Sequence, residues 1–157
     1  MADLRPGARL ALDWGQARIG VAACDREGIL AYPVETVRAG AGALPRLVAL
    51  VAEYEPVEVI VGLPRHLSGA EGQAALLVRN QISELAAALA PRPIRLVDER
   101  LTTVSAARQL REAGRDARTS RSVVDQVAAV AILELALQSE RRTGKPPGVP
   151  LTERTSP

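Results

Sequence analysis

Three short apolar runs open the chain, residues 8–14 (ARLALDW), 18–24 (RIGVAAC) and 29–37 (ILAYPVETV), separated by Gly-Gln-Ala and by Asp-Arg-Glu-Gly. Runs of that length broken by turn-forming residues predict three strands joined by tight connections, a meander. Pro33 removes a ladder donor from the third run and assigns that strand to a sheet edge. From Gly42 the period changes, and Leu44, Leu47, Val48, Val51 and Ala52 recur at helical spacing up to Tyr54. Residues 57–64 (VEVIVGLP) are β-branched and nearly all apolar, the pattern of a central strand covered on both faces. Residues 72–90 predict a long helix with Leu76, Leu77, Asn80 and Leu85 in phase, stopped by Pro91 and Pro93.

Residues 94–100 (IRLVDER) then predict a fifth strand. Residues 101–114 predict a short helix with a threonine cap candidate at its start and Gly114 at its end. Residues 115–122 (RDARTSRS) read as a polar, arginine-bearing loop, followed by a last helix over about 121–140. Val124, Val127, Ala128, Ala131 and Leu135 make that helix apolar over most of its circumference, so it is expected to pack across the sheet. From Arg141 the sequence is rich in Pro, Gly and charge, which predicts a disordered tail over 141–157 behind one domain over 1–140.

The resulting order, β-β-β-α-β-α-β-α-α, is a meander that continues into right-handed βαβ crossovers. It is the order of the ribonuclease H-like fold, an α/β architecture. The expectation is a five-stranded mixed sheet, three antiparallel meander strands plus two parallel strands, flanked by helices. Composition agrees with layered packing: 47% of the 157 residues are hydrophobic, yet Phe is absent and Trp14, Tyr32 and Tyr54 are the only aromatics. Ala, Val, Leu and Ile must therefore fill the core.

A single cysteine, Cys24, and a single histidine, His66, exclude an internal disulfide and a Cys/His zinc centre, so a metal would need oxygen ligands. The N-terminus has no apolar signal-like region and no 18-residue apolar stretch occurs, from which a cytoplasmic protein with no membrane partner is expected. Lys145 is the only lysine among 20 basic residues, and the formal charge is a modest +2. Clustering is more informative, because Arg100, Arg108, Arg111, Arg115, Arg118 and Arg121 fall within 22 residues, as a surface for phosphates requires.

Three carboxylate positions stand out against this pattern. Asp13 lies near the end of a buried strand, where an ionised group is costly unless it is paired or bound to a cation. Gly15 follows it and allows a sharp turn and a close approach by phosphate or metal; Arg18, across the first hairpin, offers a plain salt bridge as the alternative. Asp98 and Glu99 end the fifth strand, and alternation sends them to opposite faces, so at most one shares a metal with Asp13. A solvent-exposed strand end is the competing account there. Asp125 shares a helix face with Ala128, Ala129 and Ile132 and points toward the apolar interior, although a place near a helix N-terminus would also favour its charge. Oxygen-only clusters of this kind suit Mg²⁺ or Mn²⁺, and a pair of such ions drives in-line phosphodiester hydrolysis.

Four segments, ALDWGQARIGVA, VGLPRHLSGAEG, DERLTT and VDQVAAVAIL, resemble in order and spacing the motifs of the YqgF (RuvX) family, whose members are described as pre-16S rRNA nucleases and as Holliday junction resolvases. The resemblance extends over about residues 8–138. It implies a ribonuclease H-like fold, a cytoplasmic location and divalent-metal-dependent nuclease chemistry, with the acidic triad on Asp13, Glu99 and Asp125. It also decides between Asp98 and Glu99 in favour of Glu99. Arg18 is expected to orient Asp13 or meet a phosphate, and Arg65, Arg100, Arg115, Arg118 and Arg121 to grip phosphates. Thr102 and Thr103 fit a helix cap or a phosphate contact, and His66 a loop position facing solvent or nucleic acid.

The partner implied is structured RNA, in the setting of pre-ribosomal particles, or branched DNA. A monomer would favour RNA trimming and a homodimer would favour symmetric junction cleavage. Two other classes stand beside the nuclease, a nucleic-acid-binding ribosome assembly factor without turnover and an actin-like or sugar-kinase ATPase. The second needs two such lobes around a nucleotide, and this chain supplies one.

Overall fold

The computed structural model describes residues 4–15, 17–63, 72–98 and 117–151. The meander forms as the pattern requires, with β1 at Arg9–Trp14, β2 at Arg18–Cys24 and β3 at Ala31–Arg38. Helix α1 covers Ala43–Tyr54 and leads into β4 at Glu58–Leu63; α2 covers Gly72–Leu89 and leads into β5 at Ile94–Asp98. Helix α3 covers Ala117–Thr143, and a two-residue strand β6, Val149–Pro150, follows it.

The strands lie in the order β3-β2-β1-β4-β5-β6. β1 pairs antiparallel with β2 and parallel with β4, β2 pairs antiparallel with β3, and β5 continues parallel to β4. Pro33 thus sits on the edge strand its missing donor demands. Because β1, β3, β4 and β5 point the same way, their carboxyl ends share one rim of the sheet, the rim at which Asp13 lies.

The two faces of the sheet are built from different residues, and that difference places the helices. Leu10, Leu12 and Trp14 of β1, Ile19 and Val21 of β2, and Val59 and Val61 of β4 form one face, packed against Leu47, Leu50 and Val51 of α1 and Val78, Ile82, Leu85 and Leu89 of α2. The alternate positions carry small residues: Ala11 and Ala22 join Ile60 and Val97 against Ala128, Ala129, Ile132, Leu133, Ala136 and Leu137 of α3. Gly20 and Gly62 complete the thin face. A Cβ at Gly20 would stand far inside van der Waals contact with the Asp125 carbonyl oxygen, and one at Gly62 would collide with Ile132. Glycine within a strand here marks the close approach of a helix.

Four expectations are corrected. The sheet has six strands rather than five, because Val149 and Pro150 pair antiparallel with Leu96 and Arg95 of β5. The tail expected to be disordered from Arg141 instead continues α3 to Thr143 and returns to the sheet edge, where proline costs little and where the Arg95 guanidinium donates to the carbonyls of Pro147 and Gly148. Helix α3 also starts at Ala117, so most of the segment read as a polar loop is helical; alanine and arginine are good helix formers, and a helix once nucleated extends at little cost. Leu76, Leu77 and Val127 are exposed, since Val78, Ile82, Leu85 and Leu89 set the buried phase of α2 and Ala128, Ala129 and Ile132 that of α3. The short helix expected over 101–114 lies outside the described residues. Among the described residues no helix is long and apolar enough to cross a membrane.

Candidate active site

Strand alternation puts Asp13 on the thin face with Ala11, directed at α3. Its cross-strand neighbours at the same register are both glycines, Gly20 on β2 and Gly62 on β4. The absence of a side chain at Gly20 lets the α3 backbone at Asp125 settle directly over that neighbour. Two acidic residues 112 apart in sequence are therefore brought to the same rim, Asp13 as the register neighbour of Gly20 and Asp125 with its backbone over that glycine, both nearly excluded from solvent at 2% and 6% exposure.

Arg18 starts β2 at the same rim and its Nε donates to Asp125 Oδ2 at 2.8 Å. Arg18, the alternative salt-bridge partner the sequence offered for Asp13, is thus bonded to the helix. The arginine side chain keeps 30% of its surface exposed, against 9% for that of the aspartate. Gly15 serves the turn: its N–H donates to the Arg18 carbonyl at 3.0 Å, and a Cβ there would lie 2.8 Å from the same oxygen. Beside Asp125, Gln126 Nε2 donates to Thr36 Oγ1 at 3.1 Å and ties α3 to β3.

One basic residue at this rim was missed in the sequence. Arg38 ends β3 directly opposite Arg18 in the strand register and is exposed. It is two residues on from Thr36, which faces α3, so Arg38 shares that face, and the pair Arg18–Arg38 lies one same-face step nearer the rim than the row Asp13–Gly20–Thr36. Gly20 and Gly62 were missed as well. Their signal was a glycine interrupting an otherwise β-branched or apolar strand, which reports a close approach without saying what approaches.

Arg65, His66, Glu99, Arg100, Thr102, Thr103 and Arg115 lie outside the described residues. Arg118 and Arg121 fall in the first turns of α3. β5 is described as far as Asp98, and β4 stands between it and β1. Among the described residues no group of three or more His, Cys, Asp or Glu is placed to hold a metal ion. Asp13 and Asp125, the two described members of the expected acidic set, have the chemistry such an ion selects, hard oxygen donors held on rigid elements in a site of low dielectric.

The comparisons with known proteins identify the family and the fold. A protein of Streptomyces coelicolor named "Putative pre-16S rRNA nuclease" is 60% identical over 147 residues, covering 92% of this chain and 88% of that protein. One of the same name from Thermobifida fusca is 57% identical over 152 residues, covering 92% and 96%. Among solved structures, Thermus thermophilus RuvC in complex with a Holliday junction substrate superposes with a TM-score of 0.58 at 16% identity, over 92% of this chain and 99% of that one, which shows the shared ribonuclease H-like fold. Residues 7–139, from the strand that carries Asp13 through the helix that carries Asp125, match the family RuvX, described as Holliday junction resolvase, and the chain belongs to that family.

Proposed function

We propose that this protein is a divalent-metal-dependent endonuclease that processes the precursor of 16S ribosomal RNA in the cytoplasm. The observation that carries the chemistry is the pair of buried acids, Asp13 on β1 and Asp125 on α3, brought to one rim at Gly20. The substrate comes from the names of the relatives, which align over almost the whole chain. Val97, two residues before Glu99, is buried on the face that packs against α3, which supports Glu99 as the third acid of the set.

Asp13, Asp125 and Glu99 would hold Mg²⁺ or Mn²⁺, which when bound supplies activation of the attacking water and stabilisation of the leaving oxygen. The chain's own residues do the rest. The carboxylates keep the donor geometry fixed, because one sits in a strand buried on both faces and the other on a helix seated against that strand's neighbour. Arg18 and Arg38 face the same side of the sheet and grip phosphates next to the one that is cut, with Arg65, Arg100, Arg115, Arg118 and Arg121 extending that grip. Thr102 and Thr103 fit a phosphate contact or a helix cap. Phosphate contacts of this kind fix the position of a strand without reading its sequence.

The test is cleavage of a labelled 16S precursor RNA and a labelled four-way DNA junction in parallel, in Mg²⁺ and in Mn²⁺, with Asp13→Asn and Asp125→Asn as controls. RNA cleavage lost in both variants, by roughly a thousandfold or more, is the expected result. Cleavage of the junction alone, by a protein that sediments as a dimer, would replace the RNA reading with the resolvase one. Binding of RNA with no cleavage of either substrate would leave an assembly factor.

A further inference from the structure

The Arg18–Asp125 pair differs from the Arg9–Glu140 pair, in which both side chains are buried. Arg9 is 1% exposed and its guanidinium is committed both to Glu140, at 3.2 Å, and to the Gly7 carbonyl, at 2.8 Å. Arg18 holds Asp125 through Nε, and nearly a third of its side chain is open to solvent at the rim where a substrate must arrive. A guanidinium has five N–H donors, so a contact through Nε leaves the terminal nitrogens able to take a second acceptor. It also occupies Oδ2, one of the two Asp125 carboxylate oxygens through which a divalent cation would bind. Two cations cannot share one carboxylate oxygen without repulsion, so the pair and the metal are competitors.

We infer that Arg18 is a displaceable counter-ion: it balances Asp125 in the metal-free protein, is driven off that carboxylate when the cation binds, and turns to a phosphate of the substrate beside Arg38. The inference rests on the reading of Asp13 and Asp125 as metal ligands. It assigns Arg18 a positioning role with two opposed effects, weaker metal binding without nucleic acid and tighter nucleic-acid binding with metal present. The planar guanidinium matches both acceptors, since carboxylate and phosphate each take a two-pronged donor. Arg38, opposite Arg18 in the register, supplies a second cation for the same phosphate stretch.

The experiment is Mn²⁺ binding by calorimetry on the full chain, alongside RNA binding as a function of salt in Ca²⁺. The proteins compared are wild type, Arg18→Gln, Arg18→Lys, Asp13→Asn and Asp125→Asn, each first shown to melt cooperatively. Arg18→Gln is expected to bind Mn²⁺ roughly tenfold more tightly. It is also expected to bind RNA more weakly, with the slope of log affinity on log salt shallower by about one. Arg18→Lys, which keeps the charge but loses the two-pronged donor, should fall between wild type and Arg18→Gln in both. If Arg18→Gln binds Mn²⁺ as wild type does, or more weakly, while the aspartate variants lose it, the counter-ion role is wrong and the metal site stands. If the aspartate variants bind Mn²⁺ undiminished, the metal site itself is wrong and the inference falls with it.

Discussion

Helix α3 carries two buried acids, one in its N-terminal third and one in its last turn, and the two are treated differently. At its C-terminal end Glu140 accepts from the Arg5 backbone N–H at 3.0 Å, from the Arg5 guanidinium at 2.8 Å and from Arg9 at 3.2 Å, while Arg5 also reaches Glu58 at 2.8 Å. Burial alone would push the Glu140 carboxyl up, but the hydrogen bonds from Arg5 outweigh it and hold the group below its ordinary value. The same partner pushes the Arg5 guanidinium up. Fifteen residues earlier, about 22 Å along the helix, Asp125 takes the partly exposed Arg18 and lies with its backbone over Gly20, the register neighbour of Asp13. One acid is held by a network of two arginines and two glutamates, with Arg9, Glu58 and Glu140 buried and Arg5 reaching in from the surface, that fastens the helix to the N-terminus and to β4. The other meets a single partly exposed arginine, Arg18, at the rim. Stability is concentrated where one carboxylate is held by two arginines at once, and chemistry requires the acid whose partner can be exchanged.

The largest effect that would test this division is Glu140→Gln. Removing one member of a buried charged network strands the Arg9 guanidinium, a loss of about 3 kcal/mol in urea or thermal unfolding, with nuclease activity of the folded fraction retained. A variant as stable as wild type would show that this network is not the anchor. Next is Gly20→Ala, expected to cost roughly 2 kcal/mol and to lower Mn²⁺ affinity, because the added methyl meets backbone at Asp125 and must push α3 off the sheet. Gly62→Ala meets only the Ile132 side chain, which can yield, and should cost about half as much by the same melts. The reverse order would mean that the helix seat lies over β4 rather than over β2.

Acid separates the two ends more gently. The depressed Glu140 carboxyl contributes stability that is present above the ordinary glutamate value of 4.5 and is lost as pH falls below it through the depressed one. Urea midpoints of the wild type should therefore drop more steeply between about pH 5 and pH 3 than those of Glu140→Gln. Parallel curves would remove Glu140 from the acid limb. The smallest effect is that of Arg38→Gln, which leaves the melt unchanged and makes the salt dependence of RNA binding shallower by about one ion. An unchanged slope would confine the phosphate grip to the other arginines.

Much of the candidate site was legible one residue at a time. Asp13 was visible because a carboxylate inside an apolar strand needs a reason, and Asp125 because it shares a helical face with alanines and isoleucine. Arg38 was not visible, since an arginine ending an edge strand looks like any solvated charge until the register sets it opposite Arg18. The buried Arg9, Glu58 and Glu140 were missed for a related reason: each looks unremarkable alone, and their partners lie 53 to 135 residues away in the chain. The phase of α2 was misread because Leu76 and Leu77 suggested an apolar stripe where Val78 and Ile82 supply the buried one.

By itself the sequence determined the order of the first seven elements, the edge position of β3 and the two-sided burial of β4, and it singled out the acids as candidates, because all of these follow from local period and from the cost of burying charge. Only the tertiary structure decided that Arg18 pairs with Asp125, that the segment after α3 closes the sheet as a sixth strand, and that Gly20 is the seat that brings the two acids to one rim. Those outcomes depend on register and on the distance between a helix and a sheet. Residues far apart in the chain set both quantities jointly, and neither leaves a periodic trace in the sequence of either partner.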